Sequence, residues 1–169
     1  MPQVRTNFCP THPLTSNRSN SFVTQKGVTM TMRQFTYISF PGNAAEAMNY
    51  YAEIFGGTAH IQKYGDAPPM EGMPFTPPAE AVAHAQLEGP VLIAGGDSMD
   101  ENPAPLDTHN YSFLLMLDTV DEATALIEKF TSTGASVGMP FEQAPWGDHY
   151  GQVIDKFGVL WALNVPAQR

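Results

Sequence analysis

From residue 35 onward the apolar positions alternate between two periods. Residues 35–40 (FTYISF) are aromatic and β-branched, which predicts a strand. Pro41, Gly42 and Asn43 make a turn, with Asn43 placed as a helix N-cap. Residues 44–55 (AAEAMNYYAEIF) put Ala44, Ala47, Met48, Tyr51 and Phe55 on one helical face, and Gly56 and Gly57 close that helix. Residues 58–64 read as a strand. Residues 66–80 hold five prolines and must be a loop. Residues 81–88 and 91–94 read as a hairpin around Gly89 and Pro90, and 97–108 as a second loop.

The order then returns. Residues 111–117 (YSFLLML) predict a strand, and 121–132 a helix closed by Gly134. Residues 135–141, 150–154 and 159–165 predict three further strands, with a turn at 155–158. Glu46, Ala47, Phe55 and Gly57 are echoed by Glu122, Ala123, Phe130 and Gly134. The fold class is therefore α+β: two βαβββ modules, roughly 34–98 and 110–166, forming curved mixed sheets around a cleft with the helices outside. A concave cleft of this kind is where a small ligand sits.

Residues 1–33 differ from the rest. They are rich in Ser, Thr, Asn and Pro, without an apolar period, and read as a disordered extension or as sequence ahead of a start at Met30 or Met32. Their charge differs too. They hold Arg5, Arg18, Lys26 and Arg33 and no acid, or +4; the remainder holds four bases against all 17 acids, or −13. A domain that acidic argues against nucleic acid or an anionic membrane as partner. No stretch matches a membrane span. The single cysteine, Cys9, cannot form an internal disulfide and has nothing beside it to lower its pKa. The expected location is cytoplasmic.

Several runs carry a family resemblance. Residues 37–43 (YISFPGN), Glu46, Ala47, Tyr50, Tyr51 and residues 55–57 (FGG) look like the first module of PhnB-like proteins. So do residues 64–66 (YGD), 83–85 (AHA), Met139, Pro140, Trp146, Gly147, Tyr150, Gly151, residues 155–158 (DKFG), Trp161 and Asn164. The chain thus resembles the vicinal oxygen chelate superfamily of glyoxalases, bleomycin-resistance proteins and extradiol dioxygenases over roughly residues 35–166. The resemblance implies paired βαβββ modules, a homodimer and a ligand cavity in each curved sheet.

In the metalloenzymes of that superfamily His or Glu near the ends of the first, fourth, fifth and eighth strands holds a divalent ion. Carried across, those positions fall near Thr36, within residues 91–96, near Ser112 and near Ala162. Neither hydroxyls nor Ala supply the imidazole or carboxylate that a transition metal requires. No cofactor is expected; a divalent metal at relocated ligands (His84, Glu142 and His149) is the alternative. No methyl-donor loop is evident either: Gly95, Gly96 and Asp97 precede Asn102, Pro103 and Pro105 rather than a helix, and read as a turn.

The remaining candidates are polar or aromatic groups for a cleft. His84 shares a strand face with Gln86 and Glu88; it is either a cleft-lining base or hydrogen-bond donor, or an ordinary surface histidine. The stretch 142–151, with Trp146, Asp148, His149 and Tyr150 among glycines, suits stacking on a flat ligand, or else is a hairpin capping the core or a dimer seam. Tyr37, Tyr64 and Trp161 read as core or cavity wall, and Asn164 as facing the cleft with Leu160 and Ala162. His60 and His109 carry no spacing signal. Met70, Met73 and Met99 are loop residues, adaptable enough to cover a cleft or simply to pack.

The reading is a metal-free small-molecule binding protein with Thr36, His84, Ser112, Trp146, Tyr150 and Asn164 as ligand-binding residues. The alternative is an enzyme (lyase, dioxygenase or transferase) using a relocated metal or His84 as base. The expected partners are a small-molecule ligand and a second copy of the chain.

Overall fold

The computed structural model describes residues 21–23, 29–31, 34–68, 75–107 and 110–167. Cys9, Met70, Met73 and His109 lie outside the described residues, as does most of the segment read as an extension. Within that segment Ser21–Val23 (β1) pairs antiparallel with Thr29–Thr31 (β2), as a unit by itself. A lone pair of three-residue strands is marginal in water.

The second unit contains both modules. The first runs Thr36–Phe40 (β3), Ala44–Phe55 (α1), Thr58–Lys63 (β4), Val82–Glu88 (β5) and Ile93–Asp97 (β6). Its sheet has the order β3-β6-β5-β4, with β3 and β6 parallel. The second runs Phe113–Met116 (β7), Val120–Ser132 (α2), Ser136–Gln143 (β8), His149–Ile154 (β9) and Leu160–Val165 (β10). Its order, β7-β10-β9-β8 with β7 and β10 parallel, repeats the first. This is the expected pair of βαβββ modules in an α+β fold.

Three local expectations change. Asn43 makes no side-chain cap on α1. Asp97 takes that role: its Oδ1 accepts from the Ala44 amide at 2.9 Å, while Oδ2 accepts from the Val82 amide at 2.8 Å. A carboxylate facing the positive end of a helix makes a stronger bond than a neutral amide. Second, Gly95, Gly96 and Asp97 are not a turn but the end of β6. Gly95 lies so close to β3 that a Cβ there would stand 2.9 Å from the Phe40 ring. Third, α2 starts at Val120 on a capping box, in which Thr119 Oγ1 accepts from the Glu122 amide and Glu122 Oε2 from the Thr119 amide, each at 3.2 Å.

One face of each sheet meets the helices, and these faces share a single core. Ile38, Phe40 and Leu87 from the first sheet, with Tyr51 of α1, join Val153, Trp161 and Leu163 from the second, with Phe130 of α2. The joint is aromatic: Trp161 lies 5.5 Å from Tyr51 and 5.0 Å from Phe55 between ring centroids. Burying rings of this size stabilises by about 2–3 kcal/mol each. Polar contacts cross the same joint. Lys129 of α2 donates to the Ile54 carbonyl at 2.8 Å, at the negative end of α1. Lys156 pairs with Glu46 at 2.8 Å, and Tyr50 shares a 3.0 Å hydrogen bond with Thr133. The Asp155 carboxylate, buried, accepts from Tyr51 Oη, Trp161 Nε1 and the amides of Phe157 and Val159, all at 2.8–2.9 Å.

Candidate functional site

Strand alternation leaves the other face of each sheet open. On the second sheet the register lines up residues across strands. Met116, Asn164, Tyr150 and Glu142 form one row across β7, β10, β9 and β8. Leu114, Ala162, Gln152 and Met139 form the next. Paired residues in a ladder project to the same side. Both rows therefore face away from the core that holds Trp161, Val153 and Leu163. Their apolar members are open to solvent: Leu114 is 55% exposed, Met116 59% and Met139 46%. Ala162, small and central in its row, is itself buried. The Tyr150 hydroxyl accepts from Gln152 Nε2 at 2.9 Å, which holds the ring on this face.

A groove of about 570 Å³ begins at Leu114 and Met116 and reaches the turn before β6, where Val91 and Leu92 line it with Ile54 and Phe55. That size suits a small molecule.

The open face of the first sheet is more polar. Tyr37 is 56% exposed, and its ring stacks on the exposed His84 imidazole at 6.0 Å and 24° between planes. Tyr37 reaches His84 across Gly96, where a Cβ would stand only 3.2 Å from the phenol oxygen. Gly96 thus gives the ring its seat. Gln86 and Gln62 belong to the same alternation, and His60 bonds Glu88 at 2.8 Å at its margin.

The predicted residues divide. Tyr150 and Asn164 are direct cross-strand partners. Ser112 precedes β7 and, two residues before Leu114, continues the open-face alternation. His84 sits on the open face of the other sheet. Thr36, by contrast, alternates with Ile38 and Phe40 toward the core, so Tyr37 occupies the open-face position instead. Trp146 is 72% exposed in the turn between β8 and β9, and caps no core. Gly151 lets Phe141 approach rather than baring the backbone to a ligand; a Cβ there would stand 2.8 Å from the Phe141 Cβ. His149 packs beside Phe141, ring centroids 5.9 Å apart, on the face opposite to Glu142 and Tyr150. Met99 lines a separate groove of about 460 Å³ with Phe75, Pro78 and Glu80, which none of the predicted site residues reaches.

The superfamily's divalent metal does not fit these residues. Thr36 turns into the core, and Ala162 has Leu114 and Gln152 beside it in its row. His84 lies on the other sheet from Glu142, and His149 on the opposite face. Among the described residues no group of three or more His, Cys, Asp or Glu side chains is placed to hold an ion.

Two sheets of the same strand order, each backed by a helix and joined through their helix sides, define a protein of the paired-βαβββ class. The chain belongs to the Glyoxalase/Bleomycin resistance protein/Dioxygenase superfamily, which residues 34–163 match. It is 33% identical to protein YjdN of Escherichia coli strain K12, over 79% of this chain and 95% of that one. Among solved structures, protein PA1353 of Pseudomonas aeruginosa is 28% identical with a TM-score of 0.65, covering 81% of this chain and 99% of its own. The PhnB protein of Bacillus cereus, 24% identical with a TM-score of 0.59, covers 80% and 100% and shares the fold. No helix among the described residues is long and apolar enough to cross a membrane.

Proposed function

We propose that the chain binds a flat small molecule between open sheet faces, without a resident metal, as a homodimer in a reducing cytoplasm. The observation that carries this reading is the open face of the second sheet. Leu114, Met116 and Met139 are exposed there, with Tyr150 and Asn164 supplying polar groups between them. Contiguous apolar surface of this kind marks a place where something binds. The dimer follows from the same exposure: the modules are joined by their helix sides, so a sheet from a second copy is the natural cover. Tyr37 and His84 then form the wall across the cleft. A lone cysteine suits a reducing compartment.

Equilibrium dialysis with 2-naphthalenemethanol, a neutral flat probe, tests the reading. Saturable uptake is expected, weakened about tenfold or more, or at least about 1.4 kcal/mol, by Tyr150→Ala, which removes the ring the probe stacks on. Uptake that does not saturate, or that Tyr150→Ala leaves intact, refutes the site.

The enzyme reading retains one support, the exposed His84 imidazole stacked on Tyr37. Turnover of any vicinal-oxygen substrate that His84→Ala abolishes, with binding preserved, would establish it.

A further inference from the structure

We infer that the site selects by charge, taking flat ring compounds that are cationic or neutral and rejecting anions, with Glu142 beside Tyr150 as the seat of the cation. This rests on the cleft reading given above. The first observation is where the cations go. The described lysines are Lys63, Lys129 and Lys156, and each is held elsewhere: Lys63 by Glu80, Lys129 by the Ile54 carbonyl, Lys156 by Glu46. Arg33 and Arg169 lie outside the described residues. Among the described residues, then, neither open face carries a lysine or arginine to meet a phosphate or carboxylate.

The second observation is what the faces carry instead. Glu142 is exposed and is the cross-strand partner of Tyr150, whose own partner on the other side is Asn164. Neighbouring strands stand about 4.8 Å apart. A ring lying beside Tyr150 therefore places an ammonium one methylene away within reach of the Glu142 carboxylate and the Tyr150 face. A carboxylate next to an aromatic ring attracts a cation twice, by Coulomb force and by the ring quadrupole. Glu88 adds a second acid at the margin of the other face, and the sequence from residue 34 onward carries −13 behind both. Two histidines on the first sheet are engaged within the fold: His60 is bonded to Glu88 and His84 is stacked on Tyr37.

Three probes of one shape test this at pH 8, where an ordinary imidazole is neutral. They are 2-naphthylmethylammonium, 2-naphthalenemethanol and 2-naphthoate, measured by equilibrium dialysis with the full-length protein. At low salt the ammonium is expected to bind about tenfold or more tighter than the carboxylate, with the alcohol between, and 0.5 M salt should narrow the gap. Glu142→Gln, an exposed and nearly isosteric change, should erase the ammonium's advantage over the alcohol. Carboxylate binding equal to or tighter than ammonium binding overturns the charge selection while the alcohol still reports an intact cleft. An advantage that survives Glu142→Gln overturns the assignment of the seat. If wild type binds none of the three, the cleft reading and this inference both fall.

Discussion

Asp155 shows how much one buried residue can carry. Its two carboxylate oxygens each accept two hydrogen bonds, from the backbone of its own turn and from Tyr51 and Trp161. Asp155→Ala would strand the Trp161 N–H and the Tyr51 hydroxyl in the core. At about 1–3 kcal/mol for each unsatisfied group, a loss of about 3 kcal/mol or more is expected in urea unfolding, with Asp155→Asn losing less. Burial first, and then the Asp155 charge, raise the Tyr51 phenol well above its ordinary range. A raised phenol makes the folded state bind its proton more tightly than the unfolded state. That stability is present below the ordinary phenol pKa of about 10 and is lost as pH rises through the higher folded value. Absorbance at 295 nm should show Tyr51 ionising only with alkaline unfolding. A Tyr51 signal that appears before unfolding would contradict the burial. At this scale the sequence was partly readable. Alternation along residues 159–165 put Asn164 and Trp161 on opposite faces, as found. Thr36 was assigned to the cleft by counting from the family's pattern, and such a count carries no face information. A shift by one residue, to Tyr37, reverses the side. The Asp155 hub was legible only as a turn, because its partners lie as far as 104 residues away.

At the scale of elements, helix periods and glycine stops placed α1 and α2 well because those signals are local. Residues 44–55 are the helix found, and Gly134, at φ +102°, follows the end of α2. The caps were harder. The Thr119 to Glu122 box has the spacing of a capping motif, three residues apart just ahead of the helix. Thr119→Ala is expected to cost about 1 kcal/mol, read as a fall in the urea midpoint without a change of slope. Asp97 as the cap of α1 had no local signal at all, since it arrives from the far end of the module, 53 residues on. The same holds for Gly96. Its meaning appears only once β6 lies beside β3 and the Tyr37 ring crosses it. Gly96→Ala puts a methyl against the Tyr37 hydroxyl and the Val82 and Ala83 carbonyls, and should push Tyr37 off His84. The check is the His84 ring-proton chemical shift, which the stacked phenol displaces and the variant should return toward the free-imidazole value.

The whole molecule turns on which surfaces the modules use to meet. Lys129, Lys156, Tyr50 and Asp155 tie them through the helix side, and among the described residues that leaves four strands on each open face without a cover. The repeat in the sequence announced two modules but not this arrangement, because the contacts that fix it are single long-range bonds rather than a period. If a second copy covers the open faces, disrupting the apolar rows must break the dimer without unfolding the chain. Leu114 and Met116 contribute little to the core, so Leu114→Asp with Met116→Asp should leave each chain folded by circular dichroism, while unfolding loses the concentration dependence that a dimer gives it. Sedimentation equilibrium should then find wild type at twice the chain mass and the double variant at the chain mass. Lys129→Met makes the complementary case: it loosens the joint between modules, lowers the unfolding midpoint and leaves the mass doubled. If the double aspartate variant stays dimeric, the copies meet on another surface, and the ligand cleft must then be sought within one chain, along the groove between β7 and the Val91–Leu92 turn.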